Sequence, residues 1–519
     1  MRKQLLKVAL LCGGVFSAMA TMAQTRYVDN VFANYTKSAE ITYDSNRSMN
    51  ILFQSGYPIP SVNNSPFITA NLKCDIYTPE GDSIMSRPVV LILHTGSYIP
   101  AVANKQTTGN KNDSSIVALC GSFAKKGYVA VAVNYRLGWR ATSTVQGVLA
   151  EDLIKATYRG IQDVRNCIRF LRTNAATYGI DTSKIIVGGQ GTGGYIALAF
   201  GSVNKRSELE TNINFLRGDE TPMVNMDTLG DWNGLGGNPY FNYSGDSAVS
   251  GNAHMVFHYG GSMGDSTWLE ASSLPMVGIQ VVTDPFAPYR SGAVRLPTGQ
   301  TVIPMASGAG VVIPMANSLG INDKMNAATF TDAYTTRAMA ASNGVKNLFP
   351  LYTAFPFDGA PWEWWDRPTM QATQASSFYS YPMPANGRYA DSASMVTNPF
   401  MSAEKGKAYI DTVVNFLSPR IAAQFDLASF VGVKEVANAS QFLSVYPNPA
   451  TDVLYINFES NRGQVASYKV MDITGRAVLN GDADANAFTL NVNSVNQGLY
   501  FVNITLKDGS VATKRVVIE

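Results

Sequence analysis

The chain has 519 residues, 46% of them hydrophobic and 15% charged, with 40 basic against 38 acidic side chains. That length points to two or more domains, and the hydrophobic content excludes a disordered chain. The balanced charge excludes an electrostatic case for nucleic acid or another polyanionic partner.

Residues 1–23 read as a signal peptide. Arg2, Lys3 and Lys7 precede an apolar run from Val8, and Ala18-Met19-Ala20 or Thr21-Met22-Ala23 offers small residues for cleavage. The apolar run is too short to span a bilayer, and no later stretch reaches transmembrane length. Cys12 leaves with this segment, so Cys74, Cys120 and Cys167 remain. Their spacing matches no zinc motif. Cys120 and Cys167 fall on apolar helix faces, which points to core packing and leaves open whether they pair.

Residues 24–70 form a polar N-terminal segment, with a first strand expected over Glu40–Tyr43. Leu72–Tyr77 alternates as a strand, and Val89–Leu93 is a continuous apolar run, hence a strand buried on both faces. It stops at His94-Thr95-Gly96-Ser97. A helix is expected over Asp113–Lys126, with Ile116, Cys120 and Phe123 on one face and Gly127 ending it. Tyr128–Val133 is the next buried strand. A long helix follows, with Ile161, Val164, Ile168 and Leu171 spaced as one stripe. It leads into Lys184–Phe200, KIIVGGQGTGGYIALAF, which reads as strand, glycine-packed turn and helix.

Three more strands are expected at Met255–Tyr259, Met276–Val282 and Leu348–Ala354. Strands alternating with helices make a mostly parallel sheet flanked by helices, an α/β fold. Segments 202–250 and 290–340 exceed simple connections and are expected to cap the carboxyl edge of the sheet, where such folds bind ligands. In the second, Val302-Ile303-Pro304-Met305-Ala306 returns as Val312-Ile313-Pro314-Met315-Ala316, expected as a local hairpin or loop. A helix near Lys405–Leu417 closes the domain, placed at 71–420. A linker over 421–440 follows. Short alternating strands at Leu454–Phe458, Ser467–Ile473, Thr489–Val492, Gly498–Thr505 and Val511–Val517 then predict a small C-terminal β-sandwich over 441–519.

The words LILHTGS, FAKKGYVAVAVNYRLGW, IQDVRNCIRFLRTNAATYGIDTSKIIVGGQGTGG and PMVGIQVVTDPFAPY resemble the esterase/lipase branch of the α/β-hydrolase superfamily over Leu72–Leu417. The resemblance implies the hydrolase fold with cap insertions and assigns roles position by position. The nucleophile turn of that family is G-x-S-x-G; here it is Gly189-Gln190-Gly191-Thr192-Gly193, so glycine stands at the nucleophile position. His94-Thr95-Gly96 stands where a loop donates N–H groups to the oxyanion, with Gln190 and Thr192 beside it. Asp284 holds the place of the triad acid. The catalytic histidine belongs in the loop after the last strand, yet no histidine follows His258. Loss of the serine or histidine of such a unit costs about a millionfold in turnover, so the resemblance implies an esterase-derived protein without serine-hydrolase activity that binds a ligand.

Two other outcomes stay open: an active acyl hydrolase with relocated groups, and a structural surface component. Gly260-Gly261-Ser262-Met263-Gly264 matches the nucleophile pattern literally, but Asp265–Trp268 does not read as the helix that must follow. Thr192 is one step past the apex of the turn. His254 and His258 lie on an expected strand, roughly 13 Å apart, too far for one metal ion. No metal site or cofactor is expected. Asp358, Trp362 and Glu363 occupy the histidine loop and are candidates to line a pocket for a small molecule or glycan.

Tyr446-Pro447-Asn448-Pro449-Ala450, Asp472-Ile473-Thr474-Gly475-Arg476 and Gly498-Leu499-Tyr500 resemble a type IX secretion sorting domain of type A. That family implies a Bacteroidota source, passage through the type IX machinery, and release or attachment at the cell surface.

Overall fold

The computed structural model describes residues 25–50, 66–99, 107–296, 299–354, 358–368, 394–395, 397–428, 442–459, 463–472, 476–507 and 511–519. The expected signal peptide, most of the 421–440 linker and positions 473–475 of the sorting motif lie outside them. The chain divides into two compact units, Met1–Ala428 and Ser429–Glu519.

In the first unit the strands are β1 (Tyr35–Lys37), β2 (Ile41–Met49), β3 (Phe67–Pro79), β4 (Arg87–Leu93), β5 (Val129–Val133), β6 (Ile180–Gln190), β7 (Met255–Tyr259), β8 (Ser262–Met263), β9 (Met276–Val281), β10 (Ser291–Arg295), β11 (Thr301–Gly308) and β12 (Leu348–Leu351). Nine of them make one sheet in the order β1-β3-β5-β4-β6-β7-β9-β12, with β2 beside β1 on the same edge of β3. The N-terminal segment is thus part of this sheet. From β5 to β12 all neighbours run parallel; β3 runs antiparallel to β5.

The buried strands follow from alternation across two apolar faces. Val89, Leu91 and Leu93 of β4 join one core cluster, while Val90 and Ile92 join another on the opposite face. On the first face lie helices α2 (Gln146–Thr173), α3 (Thr192–Ser202) and α4 (Ala309–Ser318), the last packed on β9 and so not part of the expected cap; on the second lie α1 (Ser114–Lys125) and α5 (Ala403–Gln424). The stripe Ile161, Val164, Ile168 and Leu171 is buried as its spacing requires. Cys167 and Cys74 lie in the core of the first face, and Cys120 lies in that of the second. The sheet separates Cys120 from Cys167, so they do not pair.

The 202–250 segment has little regular structure, yet the carbonyls of Leu229, Gly230, Asn233 and Val249 accept from polar side chains of α2. Tyr158 Oη donates to Gly230 O at 2.8 Å, Gln162 Nε2 to Leu229 O at 2.8 Å, and Arg169 to Val249 O at 3.0 Å and Asn233 O at 2.7 Å. One buried ion pair anchors the start of the helix stripe: Arg136 Nε meets Asp163 Oδ1 at 2.7 Å, both side chains fully buried. Burial nonetheless pushes Asp163 up to about 6, because desolvation outweighs the pairing.

The repeated pentapeptide adopts two structures. Its first copy lies in β11, paired with β10 as a hairpin; its second lies in α4, not in a hairpin or loop. Tertiary burial decides, since Val312, Ile313 and Ala316 pack into the core from a helix while Ile303 and Met305 stay more open on the strand. Helix α5 also outruns its expected end at Leu417 and continues through Pro419 to Gln424.

In the second unit, β13 (Leu443–Tyr446), β14 (Val453–Phe458) and β17 (Ala487–Asn491) form one antiparallel sheet. The strands β16 (Ala477–Asp482), β15 (Val465–Asp472), β18 (Gly498–Leu506) and β19 (Val511–Ile518) form another. Inward residues of both sheets, among them Leu454, Ile456, Val502 and Ile504, share one core, as in a β-sandwich.

Candidate functional site

β6 delivers the chain to its turn at Gln190, and α3 begins at Thr192. Between them Gly191 sits at φ 52° and ψ −115°, in the left-handed half of conformational space. Close packing imposes the glycine at 189: a Cβ there would stand 2.2 Å from the Gly193 carbonyl carbon. A Cβ on Gly191 would stand 2.3 Å from Thr95 Oγ1 and 3.0 Å from Thr95 Cβ. The threonine hydroxyl therefore fills the space in which a side chain at the apex would begin.

Thr95 belongs to the loop after β4, where Ser97 (φ 58°) and Tyr98 (φ 55°) are non-glycine residues at positive φ. Such strain persists only where surroundings enforce it. Trp139 Nε1 donates to Ser97 O at 2.7 Å, Tyr98 Oη donates to Thr192 O at 3.0 Å, and Thr157 Oγ1 donates to Tyr98 Oη at 2.9 Å.

The three histidines stand away from the cleft. His94 is buried, stacked on Tyr135 with ring centroids 4.5 Å apart, and its Nδ1 is hydrogen-bonded with Thr95 O. Burial pushes it down to about 4. His258, on β7, accepts from Gly261 N–H at 3.3 Å, and burial pushes it down to about 3. His254 accepts from Ile185 N–H at 3.1 Å where β7 begins. None of the three lines the cavity described below.

Two carboxyls do line it. Asp284, after β9, accepts from the backbone N–H groups of Phe286 at 2.8 Å and Ala287 at 3.0 Å on Oδ1. Burial pushes it up to about 7. Glu363 stands in the loop expected to hold the histidine. It accepts from Gln190 Nε2, and from Asn398 Nδ2 at 3.3 Å. Burial first, then repulsion from Asp113 and Asp284, raises it to about 8. Gln190 is itself held by Ser115, whose Oγ donates to Gln190 Oε1 at 2.9 Å. Trp362 packs edge-to-face on Tyr259 with centroids 5.1 Å apart.

These groups meet at one end of a cavity of about 1170 Å³ above the carboxyl ends of the central strands. Thr95, Gln190, Gly191, Thr192, Asp284 and Glu363 line this end; Tyr98, Trp139, Ile154, Phe215, Trp268 and Val302 line the apolar remainder. His94 and Gly96 do not contribute to the lining. Asp358 turns away, accepting from Phe400 N–H at 3.2 Å and pairing with Lys405. Ser262 lies in β8 and donates to Pro288 O at 3.1 Å; the short 3₁₀ turn Ser266–Trp268 follows it, not a helix. Among the described residues no group of His, Cys, Asp and Glu is placed to hold a metal ion.

Residues 74–237 match the BD-FAE family model, and residues 444–519 match the model of the secretion system C-terminal sorting domain. The chain joins an esterase-like α/β-hydrolase fold to a sorting tail. Neuroligin-2 of Mus musculus is 30% identical over 178 residues, which cover 34% of this chain and 18% of the relative. Neuroligin-3 of Homo sapiens is 32% identical over 110 residues, 21% of this chain and 11% of the relative. The chain thus spans under a fifth of the length of these curated relatives. Among solved structures, butyrate-bound esterase 2 of Thermogutta terrifontis is 14% identical, with a TM-score of 0.32 over 65% of this chain and 90% of that one. The same enzyme phosphorylated by paraoxon is 17% identical, with a TM-score of 0.29 over 51% and 77%.

Two features of the site have little or no sequence signal. Asn398 holds Glu363 from 35 positions away, and Thr95 takes the seat beside Gly191. The first has no local signal; the second is hinted by a hydroxyl in the oxyanion loop opposite a glycine in the turn.

Proposed function

We propose that the hydrolase unit is a ligand-binding derivative of an esterase, without serine-hydrolase chemistry, that holds an amphiphilic small molecule in its cavity. The observation that carries this is the apex of the turn: glycine at 191, with Thr95 Oγ1 2.3 Å from where its Cβ would be. An acyl-enzyme needs a hydroxyl at that apex and a base beside it. The cavity remains, mostly apolar, with a polar end suited to orient a head group. Labelling the full chain with a fluorophosphonate, followed by peptide mass spectrometry, tests the proposal. No adduct is expected; a stoichiometric adduct on Ser262, Thr192 or Thr95 would overturn it.

A second reading is an acyl hydrolase with relocated groups, acting on small esters or acetylated glycans. It is favoured by one observation, two cavity carboxyls poised to exchange protons near neutral pH. The sorting tail supports export through type IX secretion to the surface or medium; a signal peptide over 1–23 and a Bacteroidota source belong to the same proposal.

A further inference from the structure

One helix forms a wall of the cavity along its length. Ala150, Leu153, Ile154 and Thr157 of α2 line it, at the three- and four-residue spacing of a single helix face. Hydrogen bonds fix where that face begins and ends. Thr157 Oγ1 donates to Tyr98 Oη at 2.9 Å, and Tyr98 Oη donates to Thr192 O at 3.0 Å, beside the turn. At the other end Gln146, which also lines the cavity, donates from Nε2 to Val302 O of β11 at 2.8 Å. From Thr157 back to Gln146 the helical rise gives a wall of roughly 16 Å.

A second, independent feature marks the outer end. Ile213, in the 3₁₀ turn Ile213–Phe215, and Met305, which follows Val302 on β11, both line the cavity. They are also 77% and 61% exposed. A side chain that borders a cavity and faces solvent stands at its mouth. These two come from different insertions, 202–250 and 290–340, and between them and the turn Phe215 and Trp268 are buried wall. An apolar rim continuous with an apolar interior marks a ligand groove. A butyl chain seated at the turn would touch only part of this wall and leave the rest without contact partners. An extended dodecyl chain spans it.

We propose that the cavity takes one unbranched alkyl chain of decyl to dodecyl length, end-on, with its head at the Gly191 end and its tail between Ile213 and Met305. The ligand class is thus a single-chain lipid, not a short acyl ester. This assignment rests on the cavity being a ligand site, as proposed above, and adds the length and course of what it holds. Each methylene laid against the α2 wall leaves water, so affinity grows with chain length until the tail reaches the mouth.

Calorimetric titration of the full chain with 1-hexanol, 1-octanol, 1-decanol and 1-dodecanol tests it. Their uncharged head keeps Asp284 and Glu363 from attracting or repelling the probe. Affinity is expected to rise roughly tenfold for every two methylenes through 1-dodecanol, at a single site per chain. Ile213→Asp and Met305→Asp alter exposed side chains, so the fold is not at stake. Each is expected to weaken 1-dodecanol about fivefold and to leave 1-hexanol unchanged. A rise that stops at 1-hexanol, or mouth variants that weaken all four alcohols alike or none of them, overturns the chain assignment and leaves the ligand-binding reading standing. Binding of none of the four to the unaltered chain overturns both.

Discussion

At Gly189–Gly193 the backbone keeps the course of a nucleophile turn while the reactive side chain is absent. At Ala360–Trp365 a titratable side chain, Glu363, reaches the cavity while the histidine that loop would carry is absent. The two regions were under different constraints. The turn is locked from within the core: Gly188 lies against Phe257, Gly189 against Gly193, and Gly193 against the Leu93 carbonyl, each too close for a Cβ. That packing does not depend on which side chain stands at 191. The loop is held by side chains instead, Glu363 by Gln190 and Asn398, so its composition can change without disturbing the sheet. Backbone geometry therefore persists here as a property of the fold, and it is not by itself a sign of catalysis.

The largest expected effect breaks the turn. In Gly189→Ala the new Cβ would meet backbone atoms at 2.2 Å, which nothing flexible can yield to. A loss of about 3 kcal/mol or more is expected in urea unfolding of the full chain. An unchanged midpoint would mean that the turn is not packing-limited.

A smaller effect comes from the loop side, through pH. Glu363 has its folded value raised to about 8 from 4.5, and Asp284 to about 7 from 3.8. Between the unfolded and folded values the native state holds more protons, so stability is greatest at the acidic end of that window and falls as pH rises through it. Melting temperature should decline from pH 5 to pH 8, and Glu363→Gln should flatten the decline, gaining roughly 2 kcal/mol at pH 8 over the parent. A parallel decline in the variant would remove Glu363 as its source.

The smallest expected effect sharpens the comparison by being null. Gly191→Ser restores the missing residue type, but its Cβ collides with Thr95 Oγ1 and no histidine stands in the cavity. Ester turnover should stay at the parent's level, and adding Thr95→Gly to make room should not change that. Gain of saturable turnover in either variant would show that a base is already in place.

Much of the fold was legible because its signals are local. The apolar runs of β4, β5, β7 and β9, the stripe on α2 and the glycines of the turn all sit within short windows. The second unit was legible as alternating strands, although β13 and β16 are short and irregularly patterned and escaped that criterion. The VIPMA copies show where local signals fail, since the same five residues form a strand once and a helix once. Helix α5, expected to end near Leu417, runs on through Pro419 with Ile421 and Ala422 buried. In the site, Gly191, Gln190, Asp284 and Glu363 were named from their places in motifs. That Gln190 touches Glu363 across 173 positions, or that Thr95 fills the gap at Gly191, needs the folded chain. The stacking of the His94 ring on Tyr135 likewise has no local signal.

The central claim is that the cavity binds without cleaving esters through an acyl-enzyme. Its most direct test is turnover of p-nitrophenyl butyrate by the purified full chain, beside a heat-denatured control and a Ser262→Ala, Thr192→Ala double variant. The account predicts the same flat trace for all three. Saturable turnover in the parent that disappears in the double variant would contradict it.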